Sequence, residues 1–461
     1  MRLRLPNTFV LLFAILAMIA AATWLVPGGQ YDTRLVNGRQ LVDPATFHYV
    51  ASEPQGLVAL MMAPIKGFVD AALIIGFVLI VGGAFAVLQQ TAAIDAMIGA
   101  VVRAHSRSPL VRAAVIPVFI TLFSLGGATF GMAEEAIPFI LIFVPLALAL
   151  GYDSIVGVSI PFVGSQVGFA AAFINPFNVG VAQGIAGIAP FSGMRYRIIV
   201  WCIATAVTIA FMMWYAARIK RQPQLSPTWA LDQEKRQQAT PAAAALVVMT
   251  ARHASVLALF VSSLGVMVYG VVEYQWGVEE IAALFLSMAI LIGVLGKLGA
   301  DGFVAAFLHG ARDLVTTALV IALARGTVIL ARDSHIIGTM LHALTPLVAS
   351  ASPIIAAQKM FVIQSVINFF IHSGTGQAAL TMPIMAPLAD LVGVSRQTAV
   401  LAFQLGELTT PMIPTSGITV GVLALARIPW LTWARWMVPL QLIYLVMALA
   451  LLAPPVLMHW Q

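Results

Sequence analysis

Charge is the scarcest property of this 461-residue chain: Asp, Glu, Lys and Arg together make up 9% of it. A soluble domain carries about 25%, so an ordinary soluble enzyme or binding module is excluded at the outset. Cysteine is nearly absent as well. The single Cys202 rules out an intrachain disulfide, and its apolar neighbours read as the packed interior of a helix. There is no metal-type cluster of Cys and His, no H-E-x-x-H, no G-x-S-x-G and no pair of intramembrane aspartates. His372 and Ser373 are adjacent, a poor geometry for a base and its nucleophile. No enzyme activity and no bound cofactor are therefore expected. The net charge of +6 is no nucleic-acid footprint, because Lys and Arg gather in short loops, as membrane topology demands.

Apolar residues make up 61% of the chain, in many windows longer than the roughly 18 residues a spanning helix needs. The reading is an all-α polytopic membrane protein, of the bacterial cytoplasmic (inner) membrane. The first run, Phe9 to Val26, is too long for a signal-peptide core and predicts a transmembrane helix with Arg2 and Arg4 held in the cytoplasm. A polar extracytoplasmic loop follows, then a span near Phe68–Gln89 and a basic loop carrying Arg103, Arg107 and Arg112. Two apolar arms, about Arg112–Leu125 and Met132–Leu150, flank "GGATFG"; the first is too short to cross, which predicts a re-entrant hairpin. The next segment is broken at "FINPFNVG", and the span Ile198–Ala217 leads to a charged linker.

The second half follows the same order. Spans near His253–Val271 and Val278–Gly296, an amphipathic piece and a span at Asp313–Leu330 precede the arms Pro353–Ile371 and Gln377–Leu391 around "HSGTG". A second interrupted segment holds "ELTTPMIPTSG", and a last span covers Met437–Leu452. The count is nine crossings and two hairpins. "GMAEEAIP" and "GQAALTMP" occupy matching places, which predicts two inverted repeats, each with a re-entrant helical hairpin and a broken transmembrane helix. The divisions are 1–66 (N-terminal helix and loop), 67–217 (first repeat), 218–252 (cytoplasmic linker), 253–312 (connecting helices) and 313–461 (second repeat).

Four interruptions converging at mid-depth would offer free amides, carbonyls and hydroxyls to a ligand. The candidate substrate contacts are Gly127, Thr129 and Gly131 in the first hairpin, Ser373, Gly374, Thr375, Gly376 and Gln377 in the second, and Asn175, Asn178, Thr415 and Ser416 in the broken helices. For any single one of these, a helix cap is the competing explanation. Glu134 and Glu135 stand side by side in apolar chain, where a carboxylate costs about 2.5–3.5 kcal/mol. They are either helix-start acids favoured by the dipole or a countercharge for a cation, and the matching "GQAALT" has no acids. Arg325 falls mid-span; it either pairs with Glu134 or Glu135 or grips a substrate carboxylate. Lys359 is read as snorkelling and His372 as a polar packing group, with proton coupling the alternative for the latter.

The stretches "GGATFGMAEEAIPF", "GFAAAFINPFNVGVAQGIAG", "ARGTVIL" and "SGTGQAALTMPIMAPLADLVGVSRQTAVLAFQ" resemble the C4-dicarboxylate anaerobic carrier family, in particular its YfcC-like branch of basic amino acid antiporter type. The resemblance runs over most of the chain and implies the ion transporter superfamily architecture: inverted repeats, paired hairpins, a homodimer and elevator-like alternating access. The family pattern has proline where His372 stands and "GDG…TN" where this chain has "GELTTP". Glu407 then takes the aspartate's place, while the asparagine has no counterpart beside Thr410.

The expected function is secondary active transport of a small charged metabolite, a basic amino acid by preference, through exchange or ion coupling. A C4-dicarboxylate carrier is the alternative, and a channel is disfavoured because hairpins close a site from each side in turn. Na⁺ or H⁺ is the candidate coupling ion, with Glu134, Glu135, Asn175, Glu407 and Thr410 as its candidate ligands.

Overall fold

The computed structural model describes all residues except 1–7, 37–38, 43–45, 190, 239–248, 275, 350, 459 and 461. The protein is an all-α polytopic membrane protein. Among the described residues, eight helices are long and apolar enough to cross a membrane, where the sequence predicted nine crossings. The first helix, α1 (Thr8–Ala22), and the first half of the first broken helix fall short of that length. In exchange, one predicted hairpin arm turns out to be long enough to span.

After α1, four short strands form two antiparallel pairs: β1 (Gly29–Gln30) with β4 (His48–Tyr49), and β2 (Thr33–Val36) with β3 (Arg39–Val42). Then come α2 (Leu57–Asp70), α3 (Ala72–Gln90) and the amphipathic α4 (Ala93–Arg107). The next helix, α5, runs unbroken from Pro109 to Phe130, straight through the glycines of "GGATF". Pro109 pre-sets its first turn, the Ser108 hydroxyl accepts the Val111 amide, and Gly131 stops it at φ 81. Its 22 residues span about 33 Å at 1.5 Å each, enough for a hydrocarbon core. The expectation of a short first arm is thus corrected: glycine inside a helix costs about 1 kcal/mol and does not by itself end it.

A 3-10 turn (Glu134–Phe139) leads into α6 (Ile140–Ala149). The first broken helix comprises α7 (Ser154–Val158), a π-helical turn and α8 (Gly164–Ala170), then an interruption before a second turn at Pro176–Gly180 and α9 (Val181–Ala186). After α10 (Met194–Arg221) and the linker helix α11 (Trp229–Gln238) come α12 (Ala251–Tyr274) and α13 (Val278–Leu295). The remaining helices used below are α14 (Gly299–Asp313), α15 (Val315–Asp333), α16 (Ile336–Leu344), α17 (Pro353–Asn368), α18 (Gly374–Leu391), α19 (Arg396–Gly406), α20 (Gly417–Leu425) and α21 (Trp430–Leu451). A 3-10 stretch, Glu407–Met412, separates α19 from α20. Cys202 is exposed on α10, not packed in an interior as its sequence neighbours suggest.

The order α2–α3–α4 recurs as α14–α15–α16, down to backbone detail. The joints Ala71 and Leu314 have φ −98° and −97°, and the left-handed caps Ala92 and His335 have φ 57° and 58°. Packing recurs as well, with α2 on α15 and α14 on α3. Both contacts are backbone-close. A Cβ at Gly67 would stand 2.1 Å from the Ala322 carbonyl, and one at Gly310 would stand 2.3 Å from the Gly82 carbonyl. Likewise α5 lies on α8 and α17 on α19. These close approaches hold the frame from which both hairpin turns and both broken helices face one space.

Candidate substrate site

A cavity of about 310 Å³ opens where these parts meet. The first hairpin contributes Gly131, Glu134 and Glu135; the second contributes His372, Ser373, Gly374 and Thr375. Arg325 enters from α15, and Glu407 and Thr410 come from the second broken helix. Nine of the candidate substrate and ion contacts, together with His372, therefore line one space, although they come from four separate stretches of chain.

The two neighbouring acids differ in what they do. The Glu135 carboxylate accepts the Ala133 amide at 2.9 Å, the amide just ahead of the 3-10 turn that Glu134 begins. Glu134, among the described residues, takes no other residue's amide and lines the cavity. At the start of α18 no acid is involved: the Ser373 hydroxyl caps the helix by accepting the Gly376 amide at 3.4 Å.

Of the readings left open for Arg325, pairing with Glu134 or Glu135 is not the one the structure shows. The Arg325 Nε donates to Asp70 at the end of α2, and Arg332 reaches the same carboxylate at 3.4 Å. Beside them Lys66 and Asp333 pair at 2.8 Å. The two helices are thus joined by alternating charges. Asp70 escaped the sequence reading because it falls at a predicted span boundary, where an acid needs no explanation.

Glu407 is 3% exposed, and its carboxylate accepts from Asn178 Nδ2, which ties the second broken helix to the first. Asn178 also donates to the Phe169 carbonyl at 3.2 Å. Asn175 acts one step back. It accepts the Phe177 and Asn178 amides at 2.8 and 3.2 Å and donates to the Gly127 carbonyl at 3.2 Å. It caps the second half of its own broken helix and pins the end of α5 to it. Neither asparagine lines the cavity; both hold groups that do.

An asparagine from another element does stand beside Thr410. Asn368, at the end of α17, donates to the hydroxyls of Thr409 and Thr410, each at 2.9 Å. Its own oxygen is buried without a partner among the described residues. The sequence offered a signal in "INFFIHSGTG", an asparagine just before the hairpin turn, which the reading passed over.

The other candidates lie outside the lining. Gly127 is a packing glycine, since a Cβ there would stand 2.1 Å from the Ser165 carbonyl. Thr129 bonds back to Leu125 at 2.7 Å, Gln377 donates to Gln364 at 2.8 Å, and Thr415 donates to the Phe369 carbonyl at 2.5 Å. Ser416 caps α20 by accepting the Thr419 amide at 3.4 Å, and Gly376 only supplies its amide to Ser373. Lys359 reaches the Leu347 carbonyl at 2.8 Å, so its ammonium ends on backbone. His372 is more than packing: it lines the cavity, and its Nδ1 has no partner among the described residues. Thr375 donates to the Phe177 carbonyl at 3.0 Å, so the second hairpin touches the first broken helix directly.

The C4-dicarboxylate anaerobic carrier family matches residues 5–456. The chain belongs to that family. It is 36% identical, over 94% of its length and 93% of the relative's, to YfcC of Escherichia coli (strain K12), whose name proposes basic amino acid antiport. It is 28% identical, over 94% of both chains, to an uncharacterized protein of Haemophilus influenzae. Among solved structures it is similar to the YdaH transporter of Alcanivorax borkumensis, with TM-score 0.44 and 17% identity, covering 99% of each chain. It is similar also to MtrF of Neisseria gonorrhoeae, with TM-score 0.43 and 16% identity, covering 98% of this chain and 95% of that one. The family and the relatives named for a function are transporters, not enzymes, and a membrane transporter acts on a small-molecule substrate within the bilayer.

Proposed function

We propose that the protein is a secondary active transporter of a basic amino acid, working by exchange or by ion-coupled transport. The observation that carries the substrate is the charge balance of the cavity. Glu134, Glu135 and Glu407 face it, and the one guanidinium among its lining, Arg325, is already engaged by Asp70. The excess of carboxylate favours a ligand with more cation than anion. Asp70 holds Arg325 through Nε, so the terminal nitrogens of Arg325, with the Gly374 and Thr375 amides at the start of α18, receive the substrate's carboxylate, and Glu134 its cationic end.

The recurring element order, the matched joints and the paired glycine contacts support two inverted repeats. In this reading the turns before Glu134 and before Gly374 are the tips of opposed re-entrant hairpins, and alternating access moves the cavity between the two faces. The N-terminus is cytoplasmic, the bilayer is the cytoplasmic membrane, and the homodimer rests on the family resemblance alone. Glu407, Thr410 and Asn368 form the coupling-ion candidate, for Na⁺ or H⁺.

The family description favours a second reading, a C4-dicarboxylate carrier, in which the acids hold coupling ions and Arg325 holds the substrate. Counterflow into proteoliposomes separates the two. Arginine, ornithine, succinate and a dipeptide are offered separately to wild type and to the Glu134→Gln/Glu135→Gln protein. Exchange of arginine and ornithine that is lost in the double variant supports the proposal. Succinate exchange that survives the substitutions would overturn it.

A further inference from the structure

The cavity has one wall that none of the hairpin or broken-helix elements supplies. Trp276 lines it, from the short turn between α12 and α13. That turn is fixed on both sides. The Trp276 amide donates to the Gly270 carbonyl at 3.2 Å, and its ring lies so close over Gly270 that a Cβ there would meet Trp276 Cε3 at 2.3 Å. On the other side Gly277 donates to the Glu280 carboxylate at 2.9 Å, which caps α13. The indole is therefore held in place from outside the hairpins, and Glu134 and Glu135 line the same small space.

We propose that Trp276 is a specificity-determining residue of this site: its indole face receives the substrate's cationic head together with Glu134 and Glu135. This rests on the basic amino acid reading above. An aromatic face attracts a cation through its quadrupole, and desolvation in a narrow cavity strengthens that attraction. A carboxylate pair alone would hold any cation, including a hydrated inorganic one. An indole lining the same cavity favours an organic cation with methylenes to bury, such as a guanidinium or ammonium on a chain. The division of labour also joins the two kinds of element across the cavity, since the acids sit on a hairpin and the indole on a connecting turn.

The test has two arms. In the first, Trp276→Ala and Trp276→Phe are compared with wild type in arginine counterflow. The proposal expects at least a tenfold rise in half-saturating arginine for Trp276→Ala, with Trp276→Phe close to wild type. Wild-type kinetics in Trp276→Ala would overturn it while leaving the transport reading intact. The second arm needs no substrate. Trp276→Cys is made in a Cys202→Ser background and labelled with cationic and anionic methanethiosulfonates, each rate corrected for reaction with a free thiol. The cationic reagent is expected to react at least tenfold faster, and the preference to collapse when Glu134→Gln/Glu135→Gln is added. If wild type exchanges no basic amino acid, the transport reading fails and this arm alone decides. Equal rates for the two reagents then overturn the assignment, and a retained preference sustains a cation-facing wall.

Discussion

The two hairpin starts solve one problem with different chemistry. At Gly131 the chain turns in the left-handed region, and Glu135 takes up a free amide; at Ser373 a hydroxyl does the same work. The second solution uses no charge. Glu135 has a backbone partner in Ala133, while Glu134, among the described residues, meets only its own backbone amide. The connecting helices show the same contrast. Asp70 and Asp313 end helices of matching order, yet Asp70 holds Arg325 and Arg332, whereas Asp313 is exposed and, among the described residues, reaches only His309, at 3.9 Å. The helix order recurs, and the ion pairs at its first joint do not.

The deepest cut into this comparison is made at the glycines beneath the hairpins. Gly168 lets α8 approach α5 so closely that a Cβ would stand 1.9 Å from the Ser124 carbonyl, while at Gly406 the nearest atom, Gln364 Cβ, is 2.8 Å away. Gly168→Val is expected to yield no monodisperse protein by size-exclusion chromatography. Gly406→Ala should be recovered with a loss of about 1–3 kcal/mol, the usual cost of overpacking. Equal behaviour would mean that the two contacts are not unequal in the way the distances state.

Next in size is the tie between the broken helices. Asn178→Ala strips a buried carboxylate of its donor, and an unsatisfied buried group costs about 1–3 kcal/mol or more when charged. A clear fall in Tm is expected in a thermal-unfolding assay, and Glu407→Gln should restore part of it in the double variant. No recovery would mean that the two side chains act independently.

Smaller again are the two caps. Ser373→Ala should cost about 1 kcal/mol, the worth of a helix N-cap, and Glu135→Ala about as much, the net worth of a hydrogen bond, each measured as a fall in Tm. Glu134→Gln should leave Tm nearly unchanged and still abolish arginine exchange. A large fall in Tm for Glu134→Gln would return both acids to a structural role. The smallest effect is expected from Asp313→Asn, within about 0.5 kcal/mol of wild type. Its counterpart Asp70→Asn should impair exchange, because Arg325 would lose the partner that positions it.

Much of this arrangement was legible in the sequence. "FINPFNVG" and "ELTTPMIPTSG" broke their helices because proline removes a ladder donor and asparagine offers the backbone another partner. The cavity-lining acids, Arg325 and the Ser373–Thr375 turn were visible as polar groups in apolar chain. What stayed hidden was tertiary. Glycines in "GGATF" resembled a turn but serve close helix packing, a distinction that depends on Ser165 in another helix. Arg325 finds Asp70 far away in sequence, and proximity along the chain could not choose between that partner and the glutamates. Nothing in the pattern around Trp276 marks it as a site residue; only the fold brings its turn to the cavity.

The central claim is that Glu134 and Glu135 make this cavity a site for an organic cation. Equilibrium binding of radiolabelled arginine to purified protein, with unlabelled ornithine and succinate as competitors, tests it without requiring turnover. The account predicts saturable binding displaced by ornithine and not by succinate, weakened at least a hundredfold in Glu134→Gln/Glu135→Gln. Arginine binding unchanged by the two substitutions, or displacement by succinate alone, would contradict it.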